Sequence, residues 1–277
     1  MSPLWPNPFS SQVLVGISPQ SVAIIQTAGL NKRVMQKQYA LIAKPSIELG
    51  WDQALNQLHA KLASMQLSTS KSLNIVLASD FARYLVLPAH HSLMRAGEKV
   101  EYARASHREI YGNIAETWHI QCDDAPPNQP TMTVAVDQAL IAALTKLAHQ
   151  YKMRLASVQP YLMPVFNRIK LKLVADQLYF AVVEFGRLLF AHLKNGHWQQ
   201  IHSFPLGLDW PAQLKNIALR EGMSNEKAAD FVLMVYAPNH KTTNLPHIAG
   251  WTLQRISMDS QSSKGLDPHY AMLEALQ

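Results

Sequence analysis

The sequence predicts an α/β protein in which one plan of strands and helices is used twice. Two observations lead to this prediction. Each half of the chain opens with short strand-like runs separated by turn residues, and an amphipathic helix and further strands follow each set of runs. The 277 residues, of which 48% are hydrophobic, are enough to build two modest domains with cores. We therefore expect mixed β-sheets flanked by helices.

The first half begins with a predicted β-meander. The β-branched runs Val13–Ile17 and Ser21–Gln26 are separated by the turn residues Ser18-Pro19-Gln20, and Arg33–Ala43 is predicted as a third strand. A helix is predicted to follow, because apolar residues recur at the spacing of one helical face. These residues are Trp51, Leu55, Leu58, Leu62 and Met65.

The rest of the first half alternates strands with helices. Leu73–Leu77 and Arg83–Leu87 are predicted as two strands joined by a tight turn. The further predicted elements are a helix over Gly97–Tyr111, strands at Trp118–Cys122 and Thr131–Val136, and a linking stretch over Leu162–Ile169. Asp137 is placed to cap a helix that turns Leu140, Leu144, Leu147 and Tyr151 inward.

The second half starts as the first does, with a meander. Its predicted strands are Leu178–Glu184, Arg187–Lys194 and Trp198–Phe204, with turns at Phe185-Gly186 and Asn195-Gly196. The elements predicted after it are a helix near Trp210–Glu221, strands at Phe231–Tyr236 and Trp251–Ile256, and a terminal helix from Pro268.

This repeated order of elements suggests the ribonuclease-H-like fold in its duplicated, actin-like form. The repetition lies in the order of elements, since no sequence repeat of fixed period accompanies it. We expect the first lobe over residues 1–170 and the second lobe, with the C-terminal helix, over residues 171–277.

Composition narrows the function classes. Cys122 is the only cysteine, which excludes an internal disulfide and a zinc cluster built on several thiolates. No apolar run is long enough to span a membrane, and the start of the chain lacks the layout of a secretion signal, so we expect a cytoplasmic protein. The net charge of +6 permits an acidic partner, while a charged fraction of only 16% is compatible with a chain that works inside a complex.

The order of elements resembles that of a known family. Together with the segments Ile75–Pro88, Thr131–Leu147 and Ser157–Arg168, it is similar to the actin-like platform proteins of type IV pilus assembly and to the cytoplasmic part of the L component of type II secretion. The resemblance implies an Asp-x-Gly first turn that serves magnesium and phosphate. The matching positions here are Gly16-Ile17-Ser18, so the carboxylate is absent.

The second phosphate loop that the resemblance implies is also altered. It falls on Glu184-Phe185-Gly186, and Arg187-Leu188-Leu189 replaces the small and hydroxylated residues that usually follow. Cradling a phosphate needs free backbone amides at a tight glycine turn and a charge that holds the metal. We therefore predict that Gly16, Ser18, Glu184 and Gly186 are degenerate phosphate-loop positions, and we predict no catalytic residue, no metal and no cofactor.

Other chemistries find less support in the sequence. A nuclease of this fold needs several carboxylates around two metals, one of them from the first strand, which has none. The acids available elsewhere are Asp80, Asp123, Asp124, Asp137, Asp176 and Glu184. The group His119, Cys122, Asp123 and Asp124 lacks the paired spacing of a tetrahedral metal site, and His90-His91 is predicted to be a solvated turn.

One basic segment is a candidate surface for a partner. No acid lies between Asp137 and Asp176, and the cations there are Lys146, Lys152, Arg154, Arg168, Lys170 and Lys172. A solvated helix end and linker is the first interpretation. The functional alternative assigns Lys152, Arg154, Arg168, Lys170 and Lys172 to a docking surface for an acidic partner or nucleic acid. Tyr161 and Phe166 within this segment are expected to be core residues.

The segment ahead of the first strand is a second candidate surface. Leu4, Trp5, Pro8 and Phe9 are expected to pack on the chain itself, and the alternative is a peptide that docks on a partner.

These observations favour a cytoplasmic, non-catalytic scaffold that binds protein components of a pilus or secretion apparatus in the cleft between its lobes, at the inner membrane through those partners. Two alternatives stay open. One is a nucleic-acid-binding or nuclease-like protein of ribonuclease-H-like fold, and the other is an active actin-like ATPase that uses Glu184 to hold magnesium.

Overall fold

The chain packs as two compact units in the computed structural model. The structure describes residues 11–29, 32–43, 50–65, 67, 71–89, 96–126, 128–170, 177–223, 231–258 and 267–276. The first unit is formed by the described parts of Met1–Phe81, Asp137–Val165 and Asp259–Gln277, and the second by those of Ala82–Val136 and Phe166–Met258. The packing thus divides the chain at other places than residue 170, and the boundary expected for the duplication stays a prediction.

The strands of both units are numbered in chain order. They are β1 (Gln12–Ile17), β2 (Ser21–Ala28), β3 (Arg33–Leu41), β4 (Ser72–Leu77), β5 (Ala82–Leu87), β6 (Trp118–Cys122), β7 (Thr131–Asp137), β8 (Arg154–Pro160), β9 (Gln177–Val183), β10 (Arg187–Lys194), β11 (His197–Pro205), β12 (Phe231–Tyr236) and β13 (Trp251–Arg255).

The helices are α1 (Gly50–Ser64), α2 (Ala96–Tyr111), α3 (Gln138–Gln150), α4 (Leu162–Ile169) and α5 (Trp210–Met223). Narrower 3₁₀ helices occupy Ser79–Phe81, Gly112–Thr117, Pro238–His240 and Pro268–Leu276. The last of these is called the C-terminal helix below.

The first unit contains a five-stranded mixed sheet in the order β3-β2-β1-β4-β8. Strand β1 is antiparallel to β2 and parallel to β4, and β4 is parallel to β8. Gly16 of β1 lies between Ala23 and Val76 in this register. Residues Val13–Ile17 of β1 are all buried, as expected for a central strand that has cover on both faces.

The second unit repeats this sheet in the order β11-β10-β9-β12-β13. Strand β9 is antiparallel to β10 and parallel to β12, which is parallel to β13, so each strand has the direction of its counterpart in the first sheet. The core behind it is rich in aromatic residues, with Tyr179, Phe190, Phe231 and Trp251 packed against α5. The predicted repetition of one plan is confirmed.

A smaller sheet of order β5-β7-β6 completes the second unit. Its strands β5 and β7 pair antiparallel, and α2 packs on one face through Ala103, Ile120 and Ala135. The predicted strands now labelled β4 and β5 are joined by a short turn, as predicted, but they do not pair with each other as a hairpin. Strand β4 has β1 on one side and β8 on the other, so no edge is left for β5, and Ser79–Phe81 form a 3₁₀ turn between the two sheets.

One α-helix and one strand were not predicted. The stretch expected to link the halves is helix α4, whose Leu162, Val165 and Ile169 share one buried face, although Pro164 obscured the helical pattern. Strand β8 was also missed, because its residues are mostly half-buried and polar residues interrupt the apolar pattern. The helix cap is confirmed: the Ala139 amide donates to Asp137 Oδ1 at 2.8 Å, and Trp51 Nε1 donates to Asp137 Oδ2 at 3.2 Å.

The C-terminal helix belongs to the first unit, which corrects its predicted place in the second lobe. Leu273 packs with Leu14, Ala23 and Ile25 of the first sheet, and Tyr270 approaches Tyr39 with ring centroids 6.1 Å apart. The sequence pattern located the helix but could not show which sheet it covers, because residues at one end of a chain carry no local signal of a distant partner.

A buried histidine links α2 to the small sheet. The Thr133 hydroxyl donates to the Leu85 carbonyl at 3.1 Å, so Thr133 Oγ1 accepts from His107 Nε2 at 2.9 Å. His107 also stacks on Tyr111 and meets Trp118 edge-on. Burial of the ring lowers the pKa of His107 to about 4 from 6.5.

The folded chain should therefore lose stability in mild acid. Because the unfolded chain takes up a proton at His107 below about pH 6.5 and the folded chain does so only near pH 4, this contribution is fully present above pH 6.5 and is lost as the pH falls towards 4. We expect urea unfolding to show a free energy of unfolding about 2 kcal/mol lower at pH 4.5 than at pH 7 from this group. His107→Asn should remove most of that difference, whereas the exposed His149→Gln should keep it; equal pH dependence in both variants would contradict the assignment.

Candidate functional site

The first turn, between β1 and β2, is closed by its own hydroxyl. Ser18 is buried, and its Oγ accepts hydrogen bonds from the backbone amides of Ser21 at 2.9 Å and Gln20 at 3.3 Å. The Ser18 amide itself donates to the Ser21 carbonyl at 2.9 Å. A serine that bonds to the backbone two and three residues ahead is a recognised way of stabilising a turn.

The hydrogen bonds within the first turn use the backbone N–H groups that a phosphate would need as donors. Anion binding at a turn depends on backbone N–H groups that point outward together. Here Ser18, Gln20 and Ser21 each donate within the turn, and Pro19 has no N–H group. The turn predicted to be a degenerate phosphate loop therefore satisfies its own amides.

Gly16 is a packing residue in this structure. A Cβ atom placed on Gly16 would lie 3.4 Å from both Leu273 Cδ2 and Met272 Cβ of the C-terminal helix. The helix thus lies against the end of β1, in the position where the resemblance implies the carboxylate of the Asp-x-Gly turn. The surroundings of Gly16 are thus apolar.

The second turn, between β9 and β10, is a tight hairpin. The Glu184 amide donates to the Arg187 carbonyl at 2.8 Å, and Gly186 has φ +85°, a conformation that favours glycine. The residue Glu184 is only 4% exposed, whereas Phe185 at the tip is 63% exposed. Arg187 Nη1 donates to Ser203 Oγ at 3.1 Å, across the strand pair β10–β11. The turn presents a phenyl ring to solvent and holds its carboxylate residue inside.

A neighbouring loop, residues 205–209, presents a second apolar side chain. The Leu206 amide donates to the Gly186 carbonyl at 2.9 Å, which joins this loop to the second turn. Gln213 holds it, since Gln213 Oε1 accepts from the Gly207 amide at 3.0 Å and Nε2 donates to the Pro205 carbonyl at 2.6 Å. Leu208 is consequently fully exposed, at 107% of its reference area. Sequence reasoning missed this residue, because its exposure depends on a side chain five positions later.

Comparison with known proteins supports the architecture. No protein-family model matches the sequence, and no curated protein matches it. Among solved structures, a PilM–PilN type IV pilus biogenesis complex superposes with a TM-score of 0.61 at 12% identity, over 98% of this chain and 98% of that chain. The cytoplasmic domain of EpsL, an inner membrane component of the type II secretion system of Vibrio cholerae, gives 0.57 at 14% identity, over 96% and 95%.

A third structure is named by its fold. A protein of Bacteroides thetaiotaomicron, described as having an actin-like ATPase fold and unknown function, superposes with a TM-score of 0.57 at 12% identity, over 83% of this chain and 82% of that chain. The chain has an actin-like fold. The predicted fold class is confirmed, and so is the resemblance to the pilus and secretion proteins, at the level of the fold.

Within the actin-like fold, the two altered turns hold equivalent places. Each lies between the first two strands of its five-stranded sheet. Gly16 and Ser18 belong to the first unit, and Glu184 and Gly186 to the second. Their role in binding stays a prediction.

The cations predicted to form one docking surface are divided between the units. Lys152 and Arg154 are exposed residues of the first unit, at the end of α3 and the start of β8. Half-buried Arg168 and exposed Lys170 belong to the second unit, and Lys172 lies outside the described residues. Tyr161 is buried in the first unit, as predicted, and Phe166 packs on Trp198 with ring centroids 4.4 Å apart.

The carboxylates do not gather into a metal cluster in the described part of the chain, where no three His, Cys, Asp or Glu side chains come together. Asp123 Oδ1 accepts from the Met132 amide at 3.2 Å, and burial raises the pKa of Asp123. Asp176, His90-His91 and the segment that contains Leu4, Trp5, Pro8 and Phe9 lie outside the described residues. No described helix is long and apolar enough to cross a membrane.

Removing the Ser18 hydroxyl should destabilise the first turn. Ser18→Ala leaves the part-buried amides of Gln20 and Ser21 without their acceptor, which should lower the free energy of unfolding by about 1 kcal/mol in urea titrations. Ser21→Ala is the matched control, because its hydroxyl bonds only the Ser18 hydroxyl among the described contacts, and it should cost less. If Ser18→Ala is neutral, water reaches these amides and an anion could also do so.

The second turn offers a test of backbone conformation. Gly186→Ala forces an alanine to φ +85° and should lower the free energy of unfolding by about 1–2 kcal/mol. Gly207→Ala is the control, since its added Cβ would meet only Gln213 Oε1 at 3.7 Å, an ordinary contact. Thermal or urea unfolding should separate the two variants; equal stability would mean that the turn relaxes to another conformation.

Proposed function

We propose that this chain is a non-catalytic scaffold of actin-like fold that binds protein components of a pilus or secretion assembly in the cytoplasm. The observation that carries the proposal is the self-satisfied first turn, in which Ser18 accepts the Gln20 and Ser21 amides and Leu273 packs over Gly16. Nucleotide hydrolysis in an actin-like fold needs a metal and a cradle for phosphate, and this turn offers neither a carboxylate nor outward amides.

The second turn supports the same proposal. A phosphate loop should present backbone donors and small side chains to its ligand, whereas this one presents Phe185. Beside it, Leu208 is held fully exposed by the hydrogen bonds of Gln213. Exposed apolar side chains on a fixed backbone are typical of a surface that contacts another protein.

The kind of partner comes from the fold comparison. One similar structure is named as a PilM–PilN pilus complex and another as part of an inner membrane component of type II secretion. We extend to this chain the membership in a pilus or secretion assembly that these names indicate, and we propose that it acts at the inner membrane through such partners. The cations Lys152, Arg154, Arg168, Lys170 and Lys172 remain candidates for contacts with an acidic partner.

Calorimetric titration with Mg·ATP tests the proposal. We expect no heat of binding, because the first turn lacks both the metal ligand and the free amides. Micromolar binding would overturn the proposal in favour of an actin-like ATPase. In that case Glu184→Gln should abolish the signal and Glu221→Gln, a change of equal charge on α5, should keep it.

A further inference from the structure

The outer strand of the first sheet has the properties of a docking edge. Strand β3 is the end strand in the order β3-β2-β1-β4-β8, and β2 is the only described strand that pairs with it. It is nine residues long, whereas strands average about five or six residues. The backbone groups on the free side of such a strand form a template for another strand.

The exposed side chains of β3 are apolar to an unusual degree for a free edge. Met35 is 57% exposed and Leu41 is 67% exposed, and Val34 is exposed as well. Proteins usually protect free edges with short strands, charges or bulges. A long edge with three exposed apolar side chains is instead suited to cover by a partner.

Two features of β3 resemble edge protection, and neither masks the strand. The register shift between Gln26 and Thr27 leaves Met35 as an extra residue, so the bulge presents an apolar side chain, and Gln36–Leu41 continue in regular pairing. Lys37 holds its ammonium group 5.4 Å from the ring centroid of Tyr270 on the C-terminal helix. The ammonium group of Lys37 therefore interacts with an aromatic ring that lies on one face of the sheet.

The positive charge at and around β3 indicates which kind of partner strand would pair with this edge. The first 47 residues contain no Asp or Glu, and their cations are Lys32, Arg33, Lys37 and Lys44. Arg33 is exposed at the start of β3, and Lys37 is exposed in its middle. Cross-strand pairs of opposite charge stabilise a sheet, and like charges destabilise it. An incoming strand with acidic residues would match this edge, and a basic one would not.

We propose that β3 is a docking edge that pairs, by addition of a strand, with an extended acidic and apolar segment of a partner protein. Backbone hydrogen bonds along Gln36–Leu41 would supply the pairing. Contacts with Met35 and Leu41, together with an ion pair to Arg33, would supply the preference for the segment. This inference rests on the proposed protein-binding function and names the surface that carries it.

The test uses the full chain and synthetic peptides in fluorescence anisotropy titrations. The probe is a labelled peptide of alternating Glu and Val, and the two comparison peptides are alternating Lys and Val, and the Glu–Val peptide with alternate backbone nitrogens methylated. We expect the Glu–Val peptide to bind, and both comparison peptides to bind at least about tenfold more weakly, the methylated one because it lacks donors for strand pairing. Equal binding of the methylated peptide would overturn strand addition, and no binding of the Glu–Val peptide would overturn the inference.

A matched pair of variants tests the location. Arg33→Glu should weaken binding of the Glu–Val peptide and strengthen binding of the Lys–Val peptide. The ratio of their two Kd values should change by at least about tenfold. Lys146→Glu, an exposed residue on α3 in the same unit, changes the net charge equally and should leave the ratio unchanged. Equal effects of the two variants would overturn β3 as the site. Hydrogen exchange should also show added protection in residues 36–41, and its absence during peptide binding would place the peptide elsewhere.

The peptide titration and the Mg·ATP titration test different statements, so either can fail without the other. A chain that binds Mg·ATP and also pairs the Glu–Val peptide at β3 would overturn the non-catalytic function and keep the docking edge. A chain that binds neither would keep the non-catalytic function and remove this edge as its binding surface.

Discussion

Both five-stranded sheets depend on a central strand that is buried along almost its entire length. In β1 and β9, each residue after the first is buried, so these strands hold apolar side chains on both faces. An unpaired charge buried beside such a strand is strongly destabilising, because it loses its hydration. The end of β1 lies under Leu273 and Met272, and Ser18, whose polar group is satisfied within the turn, stands immediately beyond it. A carboxylate at this point would be desolvated by the same packing that completes the first core.

This constraint connects fold with function. An actin-like fold places a turn after the first strand of each copy, and catalysis requires that turn to stay open and polar. Here the C-terminal helix covers the end of β1, while the tip of the second turn carries an exposed phenylalanine. Packing and phosphate binding would use the same backbone, and in this chain the C-terminal helix packs against the end of β1, directly before the first turn.

Local patterns in the sequence predicted most of the elements, since β6, β10 and β12 have the predicted bounds and the other predicted strands and helices differ at their ends by a few residues. What local patterns lack is information on partners in space. The short turn between β4 and β5 follows from their adjacency in the chain, but their sheet partners do not: β4 lies between β1 and β8, and β5 pairs with β7. The first turn was predicted to be altered from its missing carboxylate, and the second from the residues that follow Gly186. The hydroxyl that closes the first turn and the glutamine that exposes Leu208 act through geometry that no spacing rule describes.

The place of the C-terminal helix also bears on how the protein is made. Leu273 lies in the core of the first unit together with Leu14 and Ile25. A ribosome delivers the chain from its N-terminus, so the first sheet emerges long before the residue that completes its core. The second sheet, whose strands all lie between residues 177 and 255, has its full complement of strands earlier than the first unit has its last helix. The first unit therefore lacks the contacts of Leu273 with Leu14 and Ile25 until the residues of the C-terminal helix have been synthesised.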